Sequence, residues 1–175
     1  SADLPAGWKG KPHACYQAAA AIGAAERPKW LCFIDADTQS EPALLRSAVA
    51  AAEARQLDLL SLEPFQVLGS FWERLIIPAC FFVVAFAQDL RRVNNPGLPD
   101  AAANGQFILI RMAQYEAVDG HRGVRSEISE DTALARHVKN AGGRIAVLGA
   151  EKLIRTRMYR GLGEVWAGLG KNALQ

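Results

Sequence analysis

The sequence predicts an α/β domain with a largely parallel sheet flanked by helices. Three observations lead there. Short apolar runs at 30–34, 57–62, 106–110 and 144–148 alternate with segments of helical character. Half of the 175 residues are apolar, enough to bury a sizeable core. No repeat or linker divides the chain, so 1–175 reads as one domain.

The elements follow in order. Residues 1–10 are loop-like around Pro5, Gly7 and Gly10. Residues 12–25 are alanine-rich and favour a helix. WLCFI at 30–34 reads as a buried strand that ends at Asp35. Ser40 is placed to cap the next helix, with Pro42 in its first turn. That helix runs to about Gln56 and carries Leu44, Leu45, Ala48, Val49 and Ala52 on one stripe. LDLLSL at 57–62 is a strand, and 70–92 is helical until NNPGLP at 94–99 breaks it. QFILI at 106–110 is a strand, and 116–126 is an irregular loop. The helix at 130–140 is ended by Gly142 and Gly143. RIAVL at 144–148 is the last strand, and 160–174 is a helix carrying Trp166.

Twenty basic and 18 acidic residues give a net charge of +2, so there is no electrostatic basis for nucleic-acid binding. Cys15, Cys32 and Cys80 are odd in number and widely spaced. They read as reduced core thiols in a cytoplasmic protein. The N-terminus has no charged start followed by an apolar run, so no signal peptide is expected. LIIPACFFVVAFA at 75–87 falls short of the ~20 residues that span a bilayer. It is either a buried helix or an interfacial one on a membrane, with Trp72 and Arg74 before it and Arg91 and Arg92 after.

FIDADT is the strongest motif. Asp35 and Asp37 lie two apart beyond the carboxyl end of a strand, where open α/β sheets bind ligands. Two such carboxylates suit a hard cation, Mg²⁺ or Mn²⁺, that neutralises a diphosphate leaving group. A turn with helix-capping aspartates has the same local look. The pattern is also shared by haloacid dehalogenase-like phosphatases, in which Asp35 would be the nucleophile, although Thr38 directly follows the second Asp here.

SEISEDTALARHVKNAG is the second signal. Asp131 opens a helix beside Glu130, where backbone N–H groups can position a carboxylate that accepts a proton. A plain capped helix start has the same residues. Asn104 and Gly105 precede a strand, with glycine permitting close approach to a ligand. Lys11 precedes a helix and can meet phosphate oxygens.

In this order, WKGKPHA, FIDAD, NGQFILIR, SEDTALARHVKNAGGRI and RTRMYRGLGEVWAGLGKN resemble the family 2 glycosyltransferases. The likeness runs from about Leu4 to Asn172 and includes membrane-associated members linked to hopanoid and carotenoid glycosylation. It implies a GT-A fold, a Rossmann-like mostly parallel sheet, and a nucleotide-sugar donor, typically UDP-linked, with Mg²⁺ or Mn²⁺. It further implies that Asp35 and Asp37 serve the metal and diphosphate, Lys11, Asn104 and Gly105 the donor site, and Asp131 the base of an inverting transfer. The acceptor is expected to be lipid-like, with peripheral contact at the inner face of the plasma membrane. Family members begin with a strand and an acidic residue that hold uracil and ribose. This chain shows neither, so it reads as an N-terminally shortened portion whose sheet is incomplete. The family's Gln-x-x-Arg-Trp motif is absent in that form, and Arg157, Met158, Tyr159, Trp166 and Lys171 are its candidate replacements. The other reading that shortening supports is a binding or assembly fragment without turnover.

Overall fold

The computed structural model describes residues 4–22, 26–87 and 89–173, and the side chains at 83–87 and 169–173 lie outside that description. Parts of the expected loop at 1–10 and of the helices at 12–25 and 70–92, and Leu174 of the tail, therefore fall outside the described residues, as does the side chain of Lys171.

The chain is mixed α/β. Its main sheet has four strands, β1 (Trp30–Ile34), β5 (Phe107–Arg111), β3 (Leu59–Glu63) and β6 (Ile145–Gly149), in the spatial order β1-β5-β3-β6. β3 and β6 run parallel, but β5 is antiparallel to both β1 and β3. The sheet is thus mixed, not largely parallel as the alternation of elements predicted. QFILI is apolar enough for a strand buried on both faces, and such a run looks the same in either direction.

This one reversal positions the site. Because β1 and β3 both oppose β5, their carboxyl ends lie at the same end of the sheet as the amino end of β5. Asp35, Glu63 and the Asn104–Gly105–Gln106 turn are brought together there. A second sheet of β2 (Thr38–Ser40), β7 (Ile154–Thr156) and β4 (Phe65–Gln66) stands at this end. Ser40 belongs to β2 and does not cap the following helix, whose first residue is Leu44.

Helices cover both faces. α2 (Leu44–Ala54) buries Leu44, Ala48 and Ala52 against Leu60, Leu62, Phe107 and Leu109. Leu45, expected on that stripe, is exposed. On the opposite face α1 (Gly10–Ala20), α5 (Met112–Ala117), α6 (Gly120–Gly123) and α7 (Glu130–Asn140) pack over Leu31, Ile108, Ile110 and Val147. Leu134 and Val138 of α7 are fully buried, each worth about 2 kcal/mol of transfer free energy. Gly142, at φ +82°, lets the chain leave α7 in the left-handed region, and Gly143 N–H donates to Val138 O at 2.9 Å. The expected loop at 116–126 is instead largely helical, and a positive-φ turn at Asp119 and Gly120 separates its two short helices.

The helix expected at 70–92 is α3 (Phe71–Ala87), followed by a separate α4 (Leu90–Val93) that Asp89 caps. The tail forms α8 (Leu162–Ala173). No helix among the described residues is long and apolar enough to cross a membrane. The three thiols are free, but Cys32 is exposed and the other two half-buried, so they are not core residues.

The two margins of the main sheet differ. On β6, Asn94 stands in for a neighbouring strand: its Nδ2 donates to Val147 O at 3.0 Å, and its Oδ1 accepts from Val147 N–H at 2.7 Å. β1 has no such cover among the described residues, and its Cys32 and Ile34 are exposed.

Candidate active site

Asp35 leaves β1 with its N–H donating to Gln106 O at 3.3 Å. Its carbonyl accepts from both the N–H and the hydroxyl of Thr38, at 3.2 and 2.8 Å, which closes the turn. The turn points the Asp35 carboxylate at Lys11 of α1. Lys11 Nζ lies 2.8 Å from Asp35 Oδ1 and 3.1 Å from Glu130 Oε1. Burial pulls the lysine's pKa down, but the hydrogen bond to Asp35 and the charges of Glu130 and Asp35 outweigh it, and the net shift is upward.

Asp131, beside Glu130 at the start of α7, has both oxygens engaged. Thr132 N–H donates to Oδ1 at 2.7 Å, and Gly105 N–H donates to Oδ2 at 2.8 Å. Burial pushes the Asp131 carboxyl pKa up and the Glu130 charge adds to this, against the two N–H donors and Lys11. A carboxylate held this way is a better proton acceptor than one in water. Gly105 is a glycine for reasons of space: a Cβ there would sit 2.8 Å from Lys11 Nζ and 3.1 Å from Asp131 Oδ2.

The turn carrying Gly105 is fixed by polar side chains from β3. Asn104 N–H donates to Ser61 Oγ at 2.7 Å, and Asn104 Nδ2 donates to Glu63 Oε2 at 2.9 Å. Gln106 N–H donates to Asn104 Oδ1 at 3.0 Å, and Gln66 Nε2 donates to Gln106 Oε1 at 3.2 Å. Burial raises the Glu63 pKa, and Asp131 and Glu151 raise it further, against the Asn104 hydrogen bond.

Of the residues singled out in the sequence, Lys11, Asp35, Asn104, Gly105 and Asp131 therefore converge. Asp37 stands apart. It is exposed, its carbonyl accepts from Thr156 Oγ at 3.3 Å, and its carboxylate makes no hydrogen bond or ion pair among the described residues. No group of three His, Cys, Asp or Glu among the described residues is arranged to hold a metal. Hard cations such as Mg²⁺ often take only one or two carboxylates and complete their shell with substrate phosphates and water. Asp35 and Asp37 are the two carboxylates of the strand-end turn, and only that of Asp35 is engaged, by Lys11.

Sequence reasoning missed Glu63, Ser61, Gln66 and Gln106. Glu63 had a usable signal, since it follows an apolar strand as Asp35 does. His121 belongs to the 116–126 segment expected to be an irregular loop. It is buried instead, its Nδ1 2.9 Å from Tyr115 Oη and its ring edge-on to Phe33. Arg157, a candidate replacement for the missing motif, is bound to Glu73 of α3 through Nε and Nη2 at 3.1 Å each. With the Ser70 and Gly69 N–H groups it holds the Glu73 carboxyl down at about 2. No protein-family model matches the chain, and no curated protein does.

Proposed function

We propose that this chain carries the transfer centre of an inverting, GT-A-type glycosyltransferase that moves a sugar from a nucleotide diphosphate to a hydroxyl acceptor. One observation carries the reading. Lys11 touches the strand-end Asp35 and lies beside the Asp131 carboxylate, so a diphosphate-side group and a candidate base share one small space. Asp131 accepts the proton as the acceptor oxygen bonds to the anomeric carbon. The bond from that carbon to the diphosphate oxygen breaks, and the nucleoside diphosphate leaves. Lys11 supplies positive charge near the leaving oxygens, and Gly105 leaves room for Lys11 and Asp131 to stand side by side. Asp35 and Asp37 would hold a divalent cation, which when bound supplies further neutralisation of the diphosphate. The free thiols suit a reducing, cytoplasmic setting.

Calorimetric titration with UDP, with and without Mn²⁺, tests the donor half. Metal-dependent binding that an Asp35→Ala, Asp37→Ala double variant loses supports the reading. Covalent capture of beryllium fluoride at Asp35, with no UDP binding, would move the chain to the dehalogenase-type phosphatases.

A further inference from the structure

At the carboxyl end of β3, alternation puts Ser61 and Glu63 on the face where Leu59 packs with Leu134 and Val138 of α7. Glu63 lies there between two glycines. On the β5 side is Gly105, next to the Asn104 that binds Glu63, and its missing side chain leaves room for Asp131 Oδ2. On the other side is Gly149, the register partner of Glu63 on β6. A Cβ on Gly149 would meet Glu151 Oε1 at 2.8 Å, so the Glu151 side chain folds back over this glycine. Asp131, Glu63 and Glu151 thus form a row along the end of the sheet. The outer two are near enough for their charges to add to the effect of burial and raise the Glu63 pKa. Lys11, the cation beside Asp131, is already engaged by Asp35 and Glu130.

Asn104 joins Glu63 to Gln106. Its Nδ2 donates to Glu63 Oε2 at 2.9 Å and to Gln106 Oε1 at 3.4 Å, and Gln66 Nε2 donates to the same Gln106 oxygen at 3.2 Å. Each of the two joined side chains keeps one polar atom to spare. Glu63 Oε1 and Gln106 Nε2 make no hydrogen bond among the described residues, and neither is sealed from solvent. Gln106 is only 7% exposed, and a side chain so buried ordinarily has its polar atoms partnered. The spare atoms are one acceptor and one donor. A hydroxyl both donates and accepts, so it satisfies the two together. An ammonium would serve only the acceptor. A carboxylate would serve only the donor and would face the negative row.

We infer that Glu63 and Gln106 read one ring hydroxyl of the sugar that is transferred, and that the row of Asp131, Glu63 and Glu151 admits a neutral hexose and turns away a uronic acid. This rests on the transferase reading. In that reading the diphosphate lies at Lys11 and Asp35, and the anomeric carbon lies by Asp131. The rest of the ring then has the Asn104 side of the turn to occupy, where Glu63 Oε1 accepts from the hydroxyl and Gln106 Nε2 donates to it.

The test is calorimetry with Mn²⁺ present, using UDP, UDP-glucose, UDP-galactose and UDP-glucuronate, then the monodeoxy analogues of whichever hexose binds more tightly. With the wild type, removal of one particular hydroxyl should weaken binding by about 10- to 100-fold, the worth of a hydrogen bond to a charged group. UDP-glucuronate should bind at least about tenfold more weakly than UDP-glucose. Glu63→Gln can still accept from Asn104 but turns the spare acceptor into a donor. It should bind UDP as the wild type does, lose the penalty for that one deoxy sugar, and narrow the gap to the uronic acid. Gln106→Glu, which can still accept from Asn104 and Gln66 but turns the spare donor into an acceptor, should also lose the deoxy penalty, and it carries the test should Glu63→Gln misfold by circular dichroism. A wild type indifferent to every missing hydroxyl, a deoxy penalty that both variants keep, or equal binding of the uronic acid overturns the inference. Loss of UDP itself in Glu63→Gln would make Glu63 a support of the turn and overturn it as well. No UDP binding by the wild type would remove the transferase reading and this inference with it, whereas UDP binding without these sugar differences removes the inference alone.

Discussion

Lys11 Nζ stands 2.8 Å from Asp35 Oδ1 and holds that carboxylate against the first turn of α7 through Glu130. The cluster is partly exposed, so its energetic weight is modest and salt-sensitive. Lys11→Met should lower stability by about 1 kcal/mol in urea titration. The deficit should shrink in high salt. The folded pKa of Lys11 is raised, so its contribution is complete at neutral pH and is lost only as pH rises beyond the ordinary lysine range. Nucleotide binding should weaken more than stability does.

Asp131→Asn should separate chemistry from folding. Sugar transfer should fall by about 10²–10⁴-fold while UDP affinity stays near wild type. The folded pKa of Asp131 is raised, so the native state keeps this proton longer than the unfolded chain. Wild-type stability therefore drops as pH rises through that window, starting near the ordinary carboxylate value. The variant, which cannot ionise, should lose this pH-dependent drop, while its amide nitrogen, facing one of the two N–H donors, should cost about 1–3 kcal/mol at both pH values. Denaturation curves at pH 4 and pH 7 check the sign.

Gly105→Ala should fold and bind poorly. The added carbon meets the mobile end of Lys11 at 2.8 Å, which can swing away at little cost, but it also approaches Asp131 Oδ2 at 3.1 Å. The melting temperature should move by only a few degrees, on the order of 1 kcal/mol. Calorimetry should show a larger loss of UDP binding.

His121 should make the chain acid-sensitive. Burial and then the Lys11 charge push its pKa down to about 4. The imidazole is neutral in the folded chain where the unfolded chain already binds a proton. Stability is complete above about pH 6.5 and falls as pH drops toward 4, by about 3 kcal/mol in all. Replacing both partners, as in Tyr115→Phe with His121→Phe, should flatten that part of the stability–pH curve.

Much of this was legible where one segment carries its own signal. The helix of residues 130–140 begins and ends as its pattern and Gly142 predict, and Asp35 lies at the end of its strand. What escaped depended on distant partners. The direction of β5 is set by its pairing with Leu31 and Leu59, which the run FILIR does not encode. Strands of two or three residues, such as Phe65–Gln66, are too short for any period to show. Ser40 has the residue type of a helix cap, but pairing with Ile154 draws it into β2. His121 is core because Tyr115 and Phe33 enclose it; the Asp119–Gly120 pair marks a turn in the sequence, but the partners that the turn delivers His121 to do not show locally.

Asn94 gives the main sheet one finished margin, where a side-chain amide occupies the positions another strand would use. Growth of the sheet is therefore directional. Among the described residues the open margin is Trp30–Ile34, so a designed strand would pair there, and that strand leads straight into Asp35. Whatever seats itself along this margin arrives at the carboxylates as well. Extending the sheet and rebuilding the site's wall are the same act, so a graft at this border offers a handle on what the site accepts.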